Sequence, residues 1–164
     1  MSMTTRKITL SAITAAIVFV VTWTIRIPVP ATSGGYINFG DIVIYLSAFL
    51  LGGPSAGAAA AVGSALADAA GGAAMYIPAT FVIKGIMGLV SGLMTVKKTF
   101  RSYALACIIS GAVMAAGYGL YELLLFNFAY VIASFPFNMI QWVGSAIIAI
   151  LLFPVAKRLR IILE

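Results

Sequence analysis

The sequence predicts an all-α membrane protein: a six-transmembrane-helix bundle with both termini cytoplasmic. Three observations carry this expectation. The 164 residues are 63% hydrophobic and 9% charged, with a mean hydropathy of +1.13. The apolar residues fall into six runs, too many for a soluble domain of this length. Eight of the ten basic residues lie in three clusters that six spans put on one side, which the positive-inside rule makes the cytoplasm. No polar linker or low-complexity stretch interrupts the chain, so 1–164 reads as one integral-membrane domain. The net charge of +6 is accounted for by these helix-end clusters and calls for no nucleic-acid partner.

The first run, 8–25, follows Arg6 and Lys7 and superficially resembles a signal peptide. It is long and has no clear small-residue cleavage site after it, so it reads as a retained helix. It carries Ala12 and Ala16, a small-xxx-small pair near its cytoplasmic end. A loop over 26–36 contains Pro28, Pro30, Gly34 and Gly35, residues that set defined bends. The next stretch is either one kinked helix or two short ones, 37–51 and 55–70, broken at Gly52-Gly53-Pro54. Charge arbitrates. Five spans would move the basic clusters at 97–101 and 157–160 outside, whereas six keep them cytoplasmic. Each of these two spans reaches only about 22–24 Å, short of the ~30 Å hydrocarbon core. The second of them is nearly all Ala, Gly and Ser, a close-packing surface.

The fourth run, 76–94, holds Lys84, Gly88 and Gly92 on one face at i, i+4, i+8. The glycines form a GxxxG that admits a neighbouring helix, so Lys84 faces protein. The fifth, 103–128, puts Tyr118, Tyr121, Glu122 and Leu125 on one face, and its Cys107 reads as a small packing residue. The sixth, 137–156, carries Asn138, Gln141, Trp142 and Ser145 at i, i+3, i+4, i+7. A connection over 127–136 separates these two.

A charge inside the hydrocarbon costs several kcal/mol unless it is paired, snorkels or faces water. Lys84 and Glu122 lie inside apolar runs, and Asp41 and Asp68 lie at the ends of such runs. In the six-span topology the three acids fall in the outer half, with Lys84 roughly 12 Å deep. A polar pocket open to the outside follows. Aromatic rings beside hydrogen-bonding groups suit a flat heteroaromatic ligand. Plainer readings stand beside this one. Lys84 and Glu122 could pair only to staple two helices. Asn138 and Gln141 could bond across helices. Trp23 and Tyr103 read as interfacial belt residues. Histidine is absent, which removes His-based metal sites, proton relays and triads. Neither a metal-ligand cluster nor a nucleophile–base pair is visible, so no catalytic residue and no metal ligand is assigned.

At this point the chain resembles the substrate-capture (S) components of energy-coupling factor (ECF) vitamin transporters. The resemblance covers essentially the whole chain. It rests on the six-helix plan, on Ala12 and Ala16, and on Tyr36-Ile37-Asn38-Phe39-Gly40-Asp41. It rests also on Leu50-Leu51-Gly52-Gly53-Pro54-Ser55-Ala56-Gly57, Gly63-Ser64-Ala65-Leu66-Ala67-Asp68 and Pro78-Ala79-Thr80-Phe81-Val82-Ile83-Lys84-Gly85. Tyr121-Glu122 and Pro136-Phe137-Asn138-Met139-Ile140-Gln141 complete the ordered set. The nearest branch is the one associated with hydroxymethylpyrimidine, pyridoxine or riboflavin-like substrates.

The resemblance implies a vitamin captured from outside with high affinity by a multi-pass protein of a prokaryotic plasma membrane. It implies docking through the first helix, at Ala12 and Ala16, onto a transmembrane coupling (T) component driven by two cytoplasmic ATPases. The chain itself has no G-x-x-x-x-G-K-[ST] phosphate loop, so ATP is used by the partners and no cofactor is bound here. The candidate substrate-binding residues are Asn38, Asp41, Asp68, Tyr76, Lys84, Tyr118, Glu122, Asn138, Gln141 and Trp142. The alternative is a stand-alone secondary transporter using Glu122 or Asp68 for ion coupling. Against it, no clear inverted repeat is seen.

Overall fold

The structure is a computed structural model that describes residues 5–30 and 32–163. The expected single unit over 1–164 therefore includes residues 1–4, 31 and 164, which lie outside the described residues. Among the described residues, seven helices run in chain order: α1 (Thr5–Thr24), α2 (Gly40–Leu51), α3 (Gly53–Ala70), α4 (Ile77–Met94), α5 (Phe100–Leu125), α6 (Phe128–Leu151) and α7 (Phe153–Leu163). A short 3-10 turn, Ala74–Tyr76, leads into α4.

Among the described residues, four stretches are long and apolar enough to cross a membrane: Thr5–Thr24, Ala74–Met94, Phe100–Leu125 and Phe128–Leu151. The expected second and third spans fall short of that standard for different reasons. α2 has only 12 residues, and α3 is diluted by Gly, Ser and Asp. Both are wrapped by their neighbours: most of α2 and α3 is buried, so protein and not lipid meets their backbones. The break between them lies where Gly52-Gly53-Pro54 predicts it. Gly52 takes φ +82 and Pro54 occupies the first turn of α3. They are two helices, not one kinked helix.

The expected purely helical chain gains a two-stranded hairpin between α1 and α2. β1 (Arg26–Pro28) pairs antiparallel with β2 (Tyr36–Asn38), Ile27 opposite Ile37. Gly34 turns the loop with φ +90. At the other end of the chain the expected boundaries shift. The connection over 127–136 is mostly helix, because Asn127 caps α6 by accepting from Tyr130 N at 2.9 Å. Pro136 lies inside α6, as transmembrane helices tolerate. The run expected to reach 156 ends instead at Leu151, and Pro154 begins the separate α7.

The packing bears out the glycine face of α4. A side chain on Gly88 would stand 2.8 Å from the Ala56 carbonyl, and one on Gly57 would stand 2.9 Å from that of Gly85. α3 and α4 are therefore nearly in backbone contact, as small-residue faces allow. α1 meets α3 through Ala15 and Val18, which press on Gly63. Tyr45, Phe49, Met87, Cys107 and Met114 form the apolar core. Tyr103 belongs to it too, fully buried, with its hydroxyl donating to the Ala149 carbonyl at 3.1 Å. That corrects the expectation of an interfacial belt residue: Tyr103 points at Phe49 and Phe153, away from lipid. Trp23 is half exposed, in keeping with a belt position.

Candidate functional site

Lys84 is 1% exposed on α4. Its ammonium is ion-paired with Asp41 at the start of α2, not with Glu122 as the stapling alternative had it. Helical spacing gives the face on which Lys84 lies, but not which neighbouring helix that face meets. The second oxygen of Asp41 accepts from Gln141 Nε2 at 2.8 Å. Gln141 Oε1 in turn accepts from the Asn38 backbone N–H at 2.9 Å and from Asn38 Nδ2 at 3.3 Å. One closed network thus ties β2, α2, α4 and α6 together. Its internal charge is balanced, which is the condition for keeping ions in so dry a place.

Glu122 of α5 has its own partners. Tyr76 donates to Oε1 at 3.2 Å and Ser134 to Oε2 at 2.5 Å. The Tyr76 hydroxyl also meets that of Tyr130 at 2.9 Å, and Tyr130 accepts from Ser33 N at 2.8 Å. This chain runs from the α5 carboxylate to the hairpin loop.

Asp68, near the end of α3, accepts from the Tyr36 hydroxyl through Oδ1. Arg26 stacks on the Tyr36 ring, Cζ 3.7 Å from its centre, and donates to the Gly71 carbonyl at 2.9 Å. Burial first, and the adjacent Asp68 charge second, push the Tyr36 phenol well above its usual pKa. It stays a proton donor to Asp68 throughout the ordinary pH range.

These groups surround one cavity of about 40 Å³. That is room for roughly three water molecules. Eight of the ten expected site residues line it: Asn38, Asp68, Tyr76, Lys84, Tyr118, Glu122, Asn138 and Gln141. The other two do not. Asp41 lies behind the wall, holding Lys84 and Gln141 from the rear. Trp142 turns away from the cavity toward Gly111 of α5, whose missing side chain makes room for the indole. Thr22, Tyr36, Ser64 and Thr80 also line the cavity and were not singled out as ligand residues from sequence. Thr22 and Ser64 are single hydroxyls in apolar helices, a weak signal; Tyr36 lay in plain view within the 36–41 stretch. Thr80 bonds the Tyr118 hydroxyl at 2.9 Å. Three residues of the lining each have a buried polar atom with no hydrogen-bond partner among the described residues: Thr22 Oγ1, Asp68 Oδ2 and Asn138 Nδ2. Native interiors seldom leave such atoms unpaired.

Ala12 and Ala16 are exposed on α1, and Ala16 lines a shallow apolar groove with Ile13, Ile17 and Val20.

The comparisons with known proteins agree with this architecture. Residues 2–158 match the family described as ECF-type riboflavin transporter, S component. This chain belongs to that family. It is a multi-pass component of a cell-membrane vitamin transporter and not an enzyme, and membership implies coupling and ATPase partners and a vitamin-type ligand. A thiamine precursor transporter, HmpT, of Lactococcus lactis subsp. cremoris is 28% identical over 157 residues, 96% of this chain and 91% of that protein. An uncharacterised protein of Pyrococcus woesei is 39% identical over 132 residues, 80% of this chain and 88% of that one. Among solved structures, the S component of a bacterial ECF transporter superposes with a TM-score of 0.72 at 22% identity, covering 97% of this chain and 98% of the other. FolT bound with folic acid gives 0.52 at 23% identity, covering 93% and 87%. At these identities the two structures speak for the fold.

Proposed function

We propose that this S component captures a single-ring vitamin precursor of the hydroxymethylpyrimidine type from outside the cell. The observation that carries the reading is the cavity walled by Tyr36, Tyr76 and Tyr118, whose lining residues Asp68 and Asn138 each keep a polar atom without a hydrogen-bond partner among the described residues. Stacking surfaces with a few polar atoms suit a flat polar ring. The likeness to a thiamine precursor transporter over nearly the whole chain supports the same class.

In this reading α2 and α3 complete six membrane crossings, both termini face the cytoplasm and the cavity opens outward. The exposed Ala12–Ala16 face of α1 meets the T component, and two ATPases supply the energy that carries the ligand inward. Asn38, Asp68, Tyr76, Lys84, Tyr118, Glu122, Asn138 and Gln141 form the binding wall, and Asp41 supports it. A flavin is the second reading, favoured by the family match to riboflavin transporters. Titration calorimetry on the purified chain with hydroxymethylpyrimidine, pyridoxine and riboflavin decides between them. Tight binding of the pyrimidine is expected. A yellow preparation that binds riboflavin and ignores the pyrimidine would overturn the assignment.

A further inference from the structure

The charges around the cavity do not cancel. One lysine and two carboxylic acids line it: Lys84, Asp68 and Glu122. The Lys84 charge is already balanced by Asp41 from behind the wall. Both oxygens of Glu122 are occupied, by Tyr76 and Ser134. Asp68 is different. Asp68 lines the cavity and is 2% exposed; its Oδ1 is held by Tyr36, and its Oδ2 is buried with no hydrogen-bond partner among the described residues. Arg26, the other cation of this region, is turned to the Tyr36 ring and the Gly71 carbonyl. A buried carboxylate oxygen without a donor is costly, and a ligand that brings an N–H to it recovers that cost.

We infer that Asp68 selects the ligand by its exocyclic amine, favouring an aminopyrimidine over the analogue with an oxo group in the same place. An amine on an electron-poor ring is a strong N–H donor, and protonation of the ring nitrogen spreads positive charge onto it. The carboxylate gains in both states. An oxo group would set acceptor against acceptor and leave Asp68 Oδ2 desolvated, a repulsive element that rejects the wrong ring. The same logic lets Asp or Glu accept from the amine of cytosine in nucleic-acid recognition. Asn138, also on the lining, keeps an unpartnered donor, Nδ2, which offers a place for a ring nitrogen or hydroxyl.

This inference rests on the proposed single-ring ligand, and its test separates the two. Hydroxymethylpyrimidine and its oxo analogue are titrated calorimetrically into the purified chain. The wild type is expected to prefer the amine on the order of 10–100-fold, the span that one hydrogen bond to a charged group gives. Asp68→Asn keeps an oxygen for Tyr36 and replaces the free acceptor with an amide donor. In that variant the preference is expected to vanish or reverse. Equal affinity of the wild type for both rings would overturn the inference while leaving the single-ring function standing. So would a full amine preference in Asp68→Asn. Should that variant not fold, the wild-type comparison still decides. Riboflavin binding with neither pyrimidine bound would overturn the function and this inference together.

Discussion

The Lys84–Asp41 pair shows what a charge inside a membrane protein needs. Neither residue is left to solvent, and Gln141 satisfies the remaining oxygen of Asp41. Removing one partner of a buried pair leaves the other charged and unpaired, which costs about 3–5 kcal/mol. Lys84→Met and Asp41→Asn are each expected to lower thermal stability in detergent markedly. The double variant should be less unstable than the two single effects added together, because no lone charge remains. The matching cycle with Lys84→Met and Glu122→Gln should be near additive. Strong coupling in the second cycle and none in the first would reverse the pairing described here. The ionisable residues themselves were legible in the sequence, since each stands out against an apolar run. Their pairing was not, because it depends on how α2 and α4 are rotated and how deep each is set.

Among the elements, glycine and alanine do the positioning. Gly57 and Gly88 let α3 and α4 touch, and that contact carries Asp68, Thr80 and Lys84 to one cavity. The GxxxG spacing announced this. The hairpin and the early start of α6 were harder to read. β1 and β2 are three residues each, too short for periodicity to register. Pro136 marks a helix boundary in soluble chains, whereas here it lies within α6, in a stretch where membrane helices accept it. The α1 face belongs to this scale as well. Ala16→Trp adds a large ring to an exposed surface remote from the cavity lining. Ligand affinity of the isolated chain should stay within a few-fold of wild type. Uptake by cells expressing the whole transporter should fall strongly, because close helix approach is blocked. Normal uptake would remove this face from the coupling interface.

For the whole molecule, the pattern of a soluble protein is inverted. Leu93, Leu120, Leu124, Ile140 and Ile147 are exposed, while Asp41, Asp68, Lys84 and Glu122 are buried. In a bilayer the outer leucines and isoleucines meet lipid, and the polar centre is the proposed binding site. The proposed orientation makes a direct prediction. A cysteine at Ser33, in the hairpin loop, should react with an impermeant maleimide added to intact cells. A cysteine at Lys97, between α4 and α5, should react only after lysis. The opposite pattern would invert the topology.

Composition, the placement of charges and small-residue spacing by themselves determined that this chain is a helical membrane protein with a polar pocket. They also supplied most of the residues on the pocket wall. These properties are local: a lysine in an apolar run is expensive wherever the run packs, and glycines four apart always share a face. Only the tertiary structure decided that Lys84 pairs with Asp41, that Glu122 bonds Tyr76 and Ser134, and that Asp68 keeps a buried oxygen without a hydrogen-bond partner among the described residues. It also decided that Asp41 and Trp142 stand outside the cavity. Those outcomes depend on helix rotation, depth and crossing, which arise from the packing of residues far apart in the chain and leave no periodic mark on any one segment.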